Sequence, residues 1–130
     1  MSIQPSGYQV YQQNAVQTAP PEKLVLMLYD GCLRFLQGAR KALEEKEIQN
    51  VNNNLVKAQA IINELMANVD KGVGEIGENL VLLYDYMYRK LIEANVKKDA
   101  EAIAEVEILV RELRETWHQA ITKKFRYNQK

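Results

Sequence analysis

The chain is short of the residues that most often carry chemistry. It holds one cysteine and one histidine in 130 residues. A lone cysteine excludes an internal disulfide. Apolar neighbours surround Cys32 in "LYDGCLRFL", so it reads as a small buried hydrophobe rather than a reactive thiol. Net charge is missing too, because 17 basic residues cancel 17 acidic ones. That excludes general binding to nucleic acid or an anionic membrane, both of which need a cationic surface. No apolar run approaches the ~20 residues of a membrane span, so membrane insertion is not expected. The start, "MSIQPSGYQV", lacks the basic residues and apolar stretch of a signal peptide, and a cytoplasmic protein is the expectation. The length suits one domain with a real core.

Residues 1–21 carry no charge and five glutamines, punctuated by Pro5, Gly7, Pro20 and Pro21. Such a stretch does not bury enough apolar surface to fold alone, which predicts a mobile arm. Tyr8, Tyr11 and Ala15 nevertheless fall on one helical face. A loose tail and a short cap helix docking on the body both remain open.

From Glu22 onward every segment reads as helix. Pro20-Pro21 suits a helix start, where a missing N–H costs nothing. Val25, Leu28, Cys32, Phe35, Ala39 and Ala42 form a seam by steps of three and four. A second seam runs through Val51, Leu55, Ala58, Ile62, Leu65 and Val69, with asparagines near Asn50 as N-caps. A third joins Leu80, Tyr84, Met87, Leu91 and Ala94. After a tight Lys97-Lys98-Asp99 junction, with Asp99 as N-cap, a fourth joins Ile103, Val106, Val110, Leu113, Trp117 and Ala120. The expected helices span about 22–46, 50–70, 77–97 and 99–124, with a basic tail at 125–130. Short loops make neighbours antiparallel, so the expected fold is an all-α, up-down four-helix bundle.

Two motifs invite a chemical reading, and both fail on context. "GVGEIG" at Gly72–Gly77 matches the dinucleotide fingerprint, but a helix precedes it where a strand is needed. "ETWH" at Glu115–His118 has the ligand spacing of di-iron bundles, which need two such motifs; His118 is the sole histidine. The repeated Leu-Tyr-Asp, at Leu28–Asp30 and Leu83–Asp85, brings no nucleophile, base or phosphate loop. Adjacent helical residues point about 100° apart, so Tyr29 and Asp30 do not form a catalytic pair by themselves. No catalysis, cofactor or metal is expected.

Apolar residues exceed what the seams need. Leu26, Tyr29 and Leu33 lie beside the first seam. Val56 and Ala60 lie off the second, Leu82 and Tyr86 behind the third, and Ile108 almost opposite the fourth. Wide core faces account for such residues, and so do grooves that accept apolar segments of a partner. Tyr29 falls at the edge of its seam while Tyr84 falls on its own. That difference marks Tyr29 as the better candidate for touching a partner.

The stretches "GYQVYQQNAVQTA", "PEKLVLMLYDGCLRFL", "KAQAIINEL", "NLVLLYDYMYRKLIEAN", the following "KKD" and "IAEVEILVRELRETW" resemble the FliS family of flagellin-specific export chaperones, nearly end to end. Pro20 departs from the family's frequent serine N-cap. The resemblance implies a cytosolic chaperone that is wrapped by the disordered C-terminal segment of flagellin. It implies masking of that segment against premature polymerisation and delivery to the cytoplasmic domain of the flagellar type III export gate. It also implies that Tyr8 and Tyr11 belong to a movable cap with a part in gate docking. The groove assignment, Leu26, Tyr29, Leu33, Val56, Ala60, Leu82, Tyr86 and Ile108, rests on the stripe positions alone. The alternative is a self-associating bundle whose stripes make a homodimer, without flagellin binding.

Overall fold

The computed structural model of the chain describes residues 20–70 and 74–128, with side chains through residue 122. Within them the chain forms four helices: α1 Pro21–Glu44, α2 Ile48–Ala67, α3 Glu75–Lys97 and α4 Ala100–Asn128. Each helix packs on its sequence neighbours, and α1 also packs on α4. The result is an antiparallel up-down bundle with α1 diagonal to α3. The segment 125–130, expected as a tail, begins inside α4.

The ends of the helices follow local chemistry. Pro20 is the N-cap of α1, and it offers no side-chain hydrogen bond. The C-terminal end of α1 is a Schellman turn: Glu47 N donates to the Ala42 carbonyl and Lys46 N to that of Leu43. Lys46 holds the left-handed position there at φ 60°. Glu47 caps α2, ahead of the asparagines expected to do so. Asn50 instead donates to the Glu47 carboxylate at 2.6 Å. Asp99 caps α4 as expected, its Oδ1 accepting from Glu101 N at 3.0 Å. Of the "GVGEIG" stretch, Gly74 is the N-cap of α3 and Gly77 is a buried residue of that helix.

The core follows the seams in α2 and α3, where Val51, Leu55, Ala58, Ile62, Leu65, Tyr84, Met87, Leu91 and Ala94 are buried. It departs from them on α2, where Ile61 beside the seam is fully buried as well, and in two other places. On α4 the last seam position belongs to Ile121, while Ala120 is exposed; one step of four replaces a step of three. On α1 the buried set is Tyr29, Cys32, Leu36, Ala39 and Ala42, with Val25, Leu28 and Phe35 only half-buried. The buried face of α1 is thus shifted off the seam, toward Tyr29 and Leu36.

Polar links cross the bundle at few points. The Tyr29 and Tyr84 hydroxyls meet at 2.5 Å across the diagonal. Glu107, 4% exposed, accepts from Arg40 Nη2 of α1 at 3.0 Å. At the other end Arg114 is paired with Asp30, and the Trp117 indole donates to the Glu22 carbonyl at 2.8 Å.

Candidate partner-binding surface

The exposed large apolar side chains among the described residues fall on three helices only. Ile48 and Val56 are on α2, Ile76, Leu82, Tyr86, Ile92 and Val96 on α3, and Ile108 on α4. Helix α1 presents none. Leu82 is 67% exposed and Val96 78%, far beyond what an edge-of-core position requires. Helix α3 therefore forms the apolar ridge of the surface, with grooves toward α2 and α4 on either side.

The groove between α3 and α4 combines apolar contact with charge. The Tyr86 hydroxyl donates to Glu105 Oε1 of α4 at 2.6 Å. Lys90 reaches Glu93 at 3.4 Å and Glu105 at 3.6 Å, and Lys97 reaches Glu93 at 3.1 Å. The Glu105 carboxylate, by accepting the Tyr86 proton, raises that phenol above its ordinary range. Hydrogen bonding from Lys97, with the charge of Lys90, holds the Glu93 carboxyl low. Tyr86 lies on this side, while Leu82 and Ile108 are exposed on α3 and α4.

A family model described as "Flagellar protein FliS" matches residues 4–124. The chain is 46% identical over 121 residues to the flagellar secretion chaperone FliS of Bacillus subtilis, covering 93% of this chain and 90% of that protein. It is 45% identical over 121 residues to the FliS of Salmonella typhimurium, covering 88% and 89%. The FliS of Escherichia coli is 36% identical over 121 residues, again covering 88% and 89%. The chain belongs to the FliS family.

Within this FliS bundle the eight groove candidates separate. Val56, Ala60, Leu82, Tyr86 and Ile108 are exposed, on α2, α3 and α4. Leu26 and Leu33 are half-buried, and Leu33 packs against the core. Tyr29 is a correction. It is 3% exposed, and its hydroxyl is spent on Tyr84. An edge position on α1 turns inward to meet Tyr84 of α3, so Tyr29 is a core residue. Desolvation raises the phenols of both tyrosines. Ile48, Ile76, Ile92 and Val96 are the exposed large apolar residues that the candidate set omits, Ile92 and Val96 on the body of α3. The signal of Ile92 and Val96 was present in the sequence, since both stand well off the Tyr84–Leu91 seam. Tyr8 and Tyr11 lie outside the described residues.

A second feature of the FliS surface is an open hollow of about 510 Å³ between the start of α1 and the end of α4, lined by Leu26, Met27, Asp30, His118 and Ile121 among others. His118 is exposed at its rim. Among the described residues no three His, Cys, Asp or Glu side chains gather to hold a metal ion, and no helix is long and apolar enough to cross a membrane. Burial pushes the Cys32 thiol up to about 12, which suits packing rather than nucleophilic attack.

Proposed function

We propose that this FliS-family protein binds the disordered C-terminal segment of flagellin in the cytoplasm, keeps it from polymerising, and delivers it to the flagellar export gate. The observation that carries the reading is the run of exposed apolar residues over α2, α3 and α4, on a bundle whose relatives are flagellar secretion chaperones. A segment that folds as it binds gives up chain entropy, and only an extended apolar contact offsets that loss. A ridge with two grooves provides such contact over a long chain rather than a compact domain. Holding of this kind needs no bond made or broken, so catalysis has no part in it. Tyr8 and Tyr11 belong, in this reading, to an arm that covers the surface until the partner arrives and then contributes to gate docking.

Calorimetric titration with a flagellin C-terminal peptide tests the proposal. Binding is expected with the wild type. Leu82→Asp and Ile108→Asp are expected to weaken it at least about tenfold, since each buries a charge against an apolar partner, with helicity unchanged. A folded protein that fails to bind the peptide defeats the proposal. A concentration-dependent mass without any partner would favour the homodimer instead.

A further inference from the structure

Among the exposed large side chains on the ridge of α3, Tyr86 is the one with a polar tip. It is 44% exposed, so a partner lying on the ridge covers the ring and takes water from the hydroxyl as well. A hydroxyl covered without a hydrogen bond opposes docking, and apolar contact must first offset that loss. Here the bond is already made within the bundle, because the hydroxyl donates to Glu105 Oε1 of α4 at 2.6 Å. That length is typical of a charge-assisted bond to a carboxylate. The acceptor is supported in turn. Lys90 stands 3.6 Å from Glu105 and 3.4 Å from Glu93, and Glu93 also meets Lys97 at 3.1 Å. The carboxylates and ammonium groups of this lattice balance. Asp85 and Arg89, the adjoining charges of α3, pair with each other at 3.0 Å. Leu82 precedes Tyr86 by one turn and Ile108 follows Glu105 by nearly one, spacings that make them same-face neighbours. Both are exposed, so the polar contact is flanked by apolar surface.

We propose that Glu105 is a positioning residue for partner binding, holding the Tyr86 hydroxyl so that an apolar segment covers the phenol ring without orphaning a donor. The inference rests on the proposed function and deepens it, by naming a charged residue that acts through Tyr86 rather than by its own contact. A carboxylate beside an apolar docking surface ordinarily opposes docking, since it loses hydration there. This one favours it, because its charge is met by Lys90 and its oxygen by Tyr86. The bond also ties the ring from α3 to α4, so less side-chain freedom is lost when the partner arrives.

Calorimetric titration of the full-length protein and its variants with a flagellin C-terminal peptide tests this. Glu105→Ala leaves the Tyr86 hydroxyl without its acceptor and is expected to weaken binding about tenfold. Tyr86→Phe keeps the ring and leaves Glu105 to Lys90, so a loss of less than about threefold is expected. The double variant Tyr86→Phe/Glu105→Ala removes the orphan and should return to within about threefold of wild type, as should Glu105→Gln, which keeps an acceptor. Glu105→Ala binding within about threefold of wild type, or a double variant no better than Glu105→Ala, overturns the inference and leaves the proposed function intact. A folded wild type that does not bind the peptide defeats the proposed function and the inference with it. The free protein gives a readout that needs no partner. The Tyr86 phenol, followed by NMR of ring-labelled tyrosine, is held above its ordinary range by its bond to Glu105 and should titrate at lower pH in Glu105→Ala. A titration that does not move overturns the inference whatever the peptide does.

Discussion

Removing one hydroxyl from the Tyr29–Tyr84 pair should cost more than removing both. The two oxygens lie 2.5 Å apart on side chains that are 3% and 2% exposed. Tyr84→Phe leaves the Tyr29 hydroxyl buried with nothing in the pair to bond, and Tyr29→Phe does the same to Tyr84. An orphaned buried hydroxyl costs about 1–3 kcal/mol, whereas replacing both partners by apolar groups of the same shape is nearly neutral. The singles should therefore each lose about 2 kcal/mol, the double variant less than about 1 kcal/mol, and the cycle should show a coupling of about 3 kcal/mol. Urea unfolding followed by far-ultraviolet circular dichroism measures all four proteins, provided the slope with urea stays constant. A surface tyrosine would behave otherwise, with each single substitution within about 0.5 kcal/mol of wild type and the two effects adding. That additive result would refute the buried pairing.

Three further outcomes are expected. Lys46→Gly should raise stability by about 1 kcal/mol, measured by thermal melting, because glycine accepts the left-handed conformation at φ 60° without a Cβ clash. Glu107→Ala should lower stability by about 2 kcal/mol in urea, since it removes the acceptor for Arg40 Nη2 and leaves the buried Nε atom, 2.8 Å from that carboxylate, without it. Stability should also fall as pH rises above about 9: Cys32 stays protonated in the folded chain up to about 12 while the unfolded thiol ionises near its ordinary 9.0, so the unfolded state binds fewer protons across that window. Tyr29 and Tyr84, both raised, act in the same sense above about 10, and Cys32→Ala should flatten the first part of the decline in the urea midpoint.

Periodicity made the bundle legible, because the predicted seams of α2 and α3 run through the buried faces of those helices. It misjudged α1, which buries Tyr29 and Leu36 beside Cys32 and Ala39 and leaves Val25, Leu28 and Phe35 half-buried. A one-dimensional pattern locates a buried face only to within a neighbouring stripe, and the packing of the surrounding helices decides the rest. The exposed candidates Val56, Leu82, Tyr86 and Ile108 stood far from their seams, so no reasonable width would have hidden them. Leu26, Tyr29 and Leu33 stood close, and there the packing of the neighbouring helices decided. The polar contacts across the bundle were not legible at all, since Asp30–Arg114 and Arg40–Glu107 join residues 84 and 67 positions apart.

The clasp between Trp117 and Glu22 makes the bundle a closed ring of helices rather than an open row. A ring has no privileged starting point. The order α3–α4–α1–α2, obtained by joining the outer ends with a flexible linker and opening the chain between α2 and α3, preserves every packed helix pair. Such a circular permutant should fold with the same core and would carry new termini beside the ridge of α3, where a tethered partner segment has the shortest distance to travel.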